Sequence, residues 1–129
     1  YFAKQAFEIW ANARHDAIPQ HLATNVLTCL DQISRLKTSQ GHRVLIGAIT
    51  DGNSDPRRVE ILRGYFDFCV NAEAVGVSKP DKRVYLEAIR QVASHPAAAG
   101  LIDVDRAKSL PNGTQRGWET TLARLLLPT

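Results

Sequence analysis

VLIGAITDGNSDPRRV, residues 44–59, decides how this chain folds. Six of its first seven residues are apolar or Gly, and the run is too short for a helix, so Val44–Thr50 reads as a buried strand. The strand stops at Thr50 and gives way to Asp51-Gly52-Asn53-Ser54, and then Asp55-Pro56 supplies an N-cap and a first helical residue. The spacing therefore predicts a strand, a polar turn and a helix from about 56 to 64.

Outward from that stretch the pattern repeats. Phe66–Val70 is a second strand candidate, Asp81 to about Ala93 a helix with Val84, Ala88, Ile89 and Val92 inward, and Leu101–Val104 a weaker strand. Gln115–Leu127 reads as a last amphipathic helix, anchored by Trp118. Before residue 44 the period is helical. Phe2, Ala6, Phe7, Trp10 and Ala13 form one apolar face, which ends near Asp16 ahead of Pro19. Leu22, Val26, Leu27, Leu30, Ile33 and Leu36 form a second face, closed by Thr38-Ser39-Gln40-Gly41, where Gly41 is free to turn left-handed. Strands alternating with helices over short connections predict an α/β fold with a parallel sheet.

The bulk composition bounds the function. A chain of 129 residues is one domain, 44% hydrophobic and 22% charged. A net charge of +3 with scattered Lys and Arg predicts no nucleic-acid partner and favours small anions. No apolar run approaches the ~18 residues needed to span a membrane, and no signal peptide opens the chain, so the expected location is the cytoplasm or an organelle interior. Without such a signal the sequon Asn112-Gly113-Thr114 carries little weight. Cys29 and Cys69 sit in apolar segments and read as reduced core residues. His15, His21, His42 and His95 share no ligand spacing and read as surface residues, and Arg14 as a solvated helix residue. The chain has no Met and begins at Tyr1 inside a helix, from which a processed, excised or truncated chain is expected.

A hydroxyl at a strand tip, followed by small residues with free N–H groups and a helix N-terminus, suits a bound phosphate. The plain alternative is a strand-to-helix turn in which Gly52 and Asn53 accept positive φ and Asp55 caps the helix. Lys79, 29 residues after Thr50 and just before a helix N-terminus that disfavours a cation, weighs toward the phosphate, because a strand-tip Thr and a Lys-Pro about one β-α-β unit later form a recognisable pair.

"AITDGNSD" and "VGVSKPDKRVYLEAI", with "GYFDFCVNAEAVGVSKPD" between them, resemble the second and third motifs of the haloacid dehalogenase-like hydrolases, especially the small phosphatases with a helical cap. The resemblance covers about residues 1–96. It implies a Rossmann-like three-layer parallel-sheet core, here incomplete, with N-terminal helices from a helical cap. Residues 1–40 would be the end of the cap and the return helix, 41–96 the core with both motifs, and 97–129 a divergent tail. It further implies a Mg2+-dependent phosphatase of small phosphorylated metabolites, with Thr50 and Lys79 as catalytic residues and Gly52 and Asn53 as substrate donors. Asp51 stands where the family commonly has Asn, and its carboxylate would repel a phosphate unless it turned away. Neither the first motif, an apolar strand ending in Asp-x-Asp-Gly, nor the fourth, ending in Gly-Asp, is in the sequence. Asp103 and Asp105 would be degenerate metal ligands. A chain without the nucleophile is expected to be inactive and to self-associate through uncovered sheet edges. Two alternatives are a non-catalytic remnant that binds phosphate or a partner, and a receiver-type signalling domain, which would need a phospho-accepting Asp on a strand before Thr50.

Overall fold

A computed structural model describes residues 1–98, 100–109 and 117. The expected last helix, Trp118 and the sequon lie outside the described residues. Two strands form a parallel sheet: β1, Gly47–Thr50, and β2, Phe68–Asn71, in the register Gly47↔Phe68 to Thr50↔Asn71. Both strand tips therefore lie at one edge of the sheet. Gly47 leaves room for the Phe68 ring in this pairing, since a Cβ there would collide with it unless the ring shifted. The register is fixed just ahead of the strands. Asp67 donates its backbone N–H to Ile46 O at 2.7 Å, and its Oδ2 accepts the Ile46 N–H at 2.9 Å.

The connection from β1 to β2 follows the predicted order with one break. Asp55 caps a short 3-10 turn, Pro56–Arg58, by accepting the Arg57 N–H at 2.9 Å, and a separate helix α3 occupies Glu60–Arg63. After β2, a one-turn helix α4, Ala72–Val75, is capped by Asn71 and closed by Gly76 at φ +83°. Helix α5, Lys82–Ser94, starts from Asp81, whose carboxylate accepts the Arg83 N–H at 2.9 Å.

Helix α5 buries Val84, Tyr85, Ala88, Ile89 and Val92, and Val70 joins Val84, Tyr85 and Ala88 in the central cluster. Ile49, Phe68, Val75 and Val77 pack around it. The strand predicted at Leu101–Val104 is not there. Residues 101–103 are turn and irregular backbone, and Val104 opens helix α6, Val104–Lys108, which packs on α5 through the buried Ala107. Asp105 in its first turn suits a helix start.

The N-terminal helices correct several expectations. Helix α1, Phe2–His21, runs through Pro19, whose ring already holds a helical φ and costs one ladder bond in the last turns. Its buried residues are Ala11 and His15, not the aromatic face; Phe2, Phe7 and Trp10 are exposed. The aromatics pack on one another instead, Phe7 and Trp10 at 5.6 Å between centroids with the exposed Arg14 guanidinium 4.6 Å over Trp10. His15 is thus a buried anchor rather than a surface residue. Helix α2, Thr24–Ser34, half-buries its predicted stripe from Leu22 to Ile33 and leaves Leu36 and Cys29 exposed, so only Cys69 of the two thiols is in the core. Gly41 takes φ +85° as expected, in the turn that returns the chain from Thr38 to His42.

The described residues form an incomplete Rossmann-like α/β fold, and no helix among them is long and apolar enough to cross a membrane.

Candidate functional site

The tip of β1 brings the two sequence motifs together. Lys79 donates from Nζ to the carbonyl of Ile49 at 3.2 Å, one residue before Thr50, although 30 positions separate the two. Its backbone N–H reaches Asp51 Oδ1 at 2.8 Å. The Lys79–Pro80 peptide is cis. Among the described residues this bond engages one of the three ammonium donors. Lys79 is half-buried, and the helix that follows begins only at Lys82.

Thr50 is half-buried, and its Oγ1 accepts the Gly52 N–H at 3.2 Å. That bond leaves the Thr50 hydroxyl proton as a donor for another group. It also engages the Gly52 amide with the hydroxyl. Neither Gly52 nor Asn53 has positive φ, so the tight left-handed turn of the plain alternative is not formed. Asp51, whose carboxylate was expected to disturb a phosphate, turns toward the Lys79 backbone instead.

Helix α1 closes one side of this turn. His15 Nδ1 lies 2.7 Å from Ala11 O, and its Nε2 accepts the Asp55 N–H at 3.5 Å. Arg58 donates to Asn12 Oδ1 at 2.8 Å. Between helix and turn lies a shallow cleft of about 330 Å3, lined by Phe7, Ala11, Asn12, Asn53, Arg58 and Glu73. These α1 partners are 40 or more residues from the turn, and no local sequence signal marks them. A larger cleft of about 550 Å3 lies between β2, α5 and α6, but none of Thr50, Gly52, Asn53 or Lys79 lines it. Its cations Arg83, Arg90 and Lys108 are paired with Asp81, Glu87 and Asp105. Of those four residues, Asn53 lines the smaller cleft.

Ionisation near the turn is set by local pairs. Arg57, hydrogen-bonded to the Asp55 carboxylate, holds it below its usual range against the opposing effect of burial. Burial pushes the Cys69 thiol up, with the Asp55 charge adding to it. Its Sγ donates to Ser54 O at 3.7 Å, and a neutral thiol beside the turn serves packing rather than nucleophilic attack.

Asp103 and Asp105 are both exposed; Asp105 heads α6 and pairs with Lys108 at 2.9 Å. Among the described residues no three His, Cys, Asp or Glu side chains gather as metal ligands.

A parallel β-α-β unit, with a hydroxyl at the tip of one strand and a lysine brought back to that tip, marks an incomplete Rossmann-like α/β core. The comparisons agree with that class. The chain is 32% identical over 115 residues to pyrimidine 5'-nucleotidase YjjG of Escherichia coli (strain K12), a match covering 80% of this chain and 50% of that protein. It is 42% identical over 55 residues to haloacid dehalogenase-like hydrolase domain-containing protein 3 of Mus musculus, covering 39% of this chain and 22% of that protein. These matches support a haloacid dehalogenase-like hydrolase. The chain spans half the length of the first of these relatives and less of the second. No family model matches the chain, and no solved structure does.

Proposed function

We propose that this chain carries the phosphate-seating part of a haloacid dehalogenase-like phosphatase acting on small phosphorylated metabolites. The observation that carries the reading is the return of Lys79 to the tip of β1, where its ammonium donates to the carbonyl of Ile49, the residue before Thr50. A phosphoryl group seated there accepts a hydrogen bond from Thr50 and is neutralised by the Lys79 ammonium. Preorganised donors of this kind contribute a few kcal/mol each to a phosphoryl-transfer transition state. Asn53 faces the cleft beside α1, where the remainder of the substrate would lie. The name of the bacterial relative makes a pyrimidine nucleoside monophosphate the first substrate to try.

The described residues supply no nucleophile at this seat. The resemblance assigns that role to an Asp-x-Asp-Gly strand, which the 129-residue sequence does not contain. It also implies Mg2+, for which these residues gather no ligand set. The chain by itself is therefore expected to bind phosphate without turning over. Calorimetric titration with inorganic phosphate, beside p-nitrophenyl phosphate hydrolysis with Mg2+, tests this. Binding that weakens at least tenfold in Lys79→Ala and in Thr50→Val, with no hydrolysis, supports the reading. Binding unaffected by either substitution overturns the phosphate seat, and hydrolysis abolished by Lys79→Ala overturns the non-catalytic part.

A further inference from the structure

Asp51 is an exposed carboxylate next to the proposed phosphate seat, and on charge alone it should weaken anion binding. Its geometry gives it another task. Its Oδ1 accepts the Lys79 N–H at 2.8 Å across 28 residues of chain, while Lys79 Nζ reaches back to Ile49 O at 3.2 Å. The lysine is thus held at both ends: its backbone by the residue after Thr50, its ammonium by the residue before it. The Lys79 segment lies in no helix or strand, and Gly76, Ser78 and Pro80 around it are exposed, so no repetitive hydrogen bonding fixes it. We infer that Asp51 is a positioning residue, whose carboxylate fixes the Lys79 backbone so that the ammonium is delivered to the tip of β1.

The inference rests on the proposed phosphate seat, and the test separates the two. Hydrogen exchange of the Lys79 amide and the dissociation constant for inorganic phosphate are measured on the full 129-residue chain. The proteins compared are wild type, Asp51→Ala, Asp51→Asn and Lys79→Ala, with the Ile89 amide as a control for global folding. In Asp51→Ala, Lys79 protection is expected to be lost and phosphate to bind about tenfold more weakly, with Ile89 protection unchanged. Asp51→Asn retains an acceptor oxygen and is expected to restore both, which a purely electrostatic role would not allow. Should Asp51→Ala unfold the chain, the Asp51→Asn comparison still decides. Asp51→Asn with Lys79 unprotected, or Asp51→Ala with Lys79 still protected, overturns the positioning role. So does tighter phosphate binding in Asp51→Ala, which would mean that the carboxylate acts only by repulsion. Equal phosphate affinity in wild type and Lys79→Ala, with Lys79 protection still dependent on Asp51, overturns the phosphate seat and leaves the positioning contact standing.

Discussion

Replacing Asp67 by Ala should destabilise the chain by about 2 kcal/mol, and the reason can be assembled contact by contact. Asp67 Oδ2 accepts the Ile46 N–H at 2.9 Å immediately before β1. Removing the acceptor leaves a part-buried amide unsatisfied, which costs roughly 1–3 kcal/mol. The carboxylate also makes a bidentate pair with Arg43, at 2.6 and 3.2 Å, but Arg43 is half exposed, so water screens that pair to roughly 0.2–1 kcal/mol. Because Ile46 is not fully buried, the lower half of the first range applies, and the two terms together give about 2 kcal/mol. With a urea dependence of roughly 2 kcal/mol per molar, the midpoint should fall by about 1 M. Arg43→Ala removes only the screened pair and should lower it by less than half as much. Asp67→Ala costing no more than Arg43→Ala would refute the reasoning, since the Ile46 bond would then contribute nothing.

Two further outcomes follow from the core and the carboxylates. Ile89→Ala, at a fully buried position of α5, should cost about 2–5 kcal/mol in chemical denaturation, a large share of the stability of a domain this size. In acid, stability should fall as pH drops from roughly 4 toward about 2, followed by circular dichroism. Asp81 is held down to about 2 by the Arg83 side chain and then by the Arg83 N–H. Asp67 is lowered because Arg43, the Ile46 N–H and the neighbouring charges outweigh its burial. With folded values below the ordinary Asp value near 3.9, the unfolded chain binds more protons across that window, so stability is present above it and lost below. An acid transition unmoved in the double variant Asp67→Asn, Asp81→Asn would contradict this.

What could be read from the sequence was whatever is encoded locally. The two strands, the Asp55-Pro56 start and the inward face of α5 all appeared where their spacing placed them, because period and capping act over a few residues. Helix α4 was missed although Asn71 and Gly76 mark its two ends; a single turn is too short to carry a periodic signal. Helix α1 failed differently. Its aromatic stripe has a convincing helical period, yet the face turned to the chain is Ala11 and His15, chosen by Asp55 and Arg58 some 40 positions away. Within the site, the pairing of Thr50 with Lys79 was legible only as a resemblance at matching distance, and the partner of Asp51 was not legible at all. Whether a carboxylate faces a phosphate or a backbone amide depends on tertiary geometry that composition does not encode.

Folding and ligand holding are separable in this arrangement. The apolar cluster of Val70, Val84, Tyr85 and Ala88 lies between the sheet and α5, and Ile49, the residue before Thr50, packs against it. Thr50 and Lys79 are half-buried, and Asp51 is exposed, so little of the free energy of folding rests on them. The Lys79 ammonium contributes one hydrogen bond to Ile49 O, and its removal as Lys79→Ala should lower the melting temperature by only a few degrees, on the order of 1 kcal/mol. Phosphate affinity should fall far more in the same variant. The β-α-β unit therefore acts as a rigid frame that holds two distant polar groups at one strand tip, and those groups contribute little to the frame.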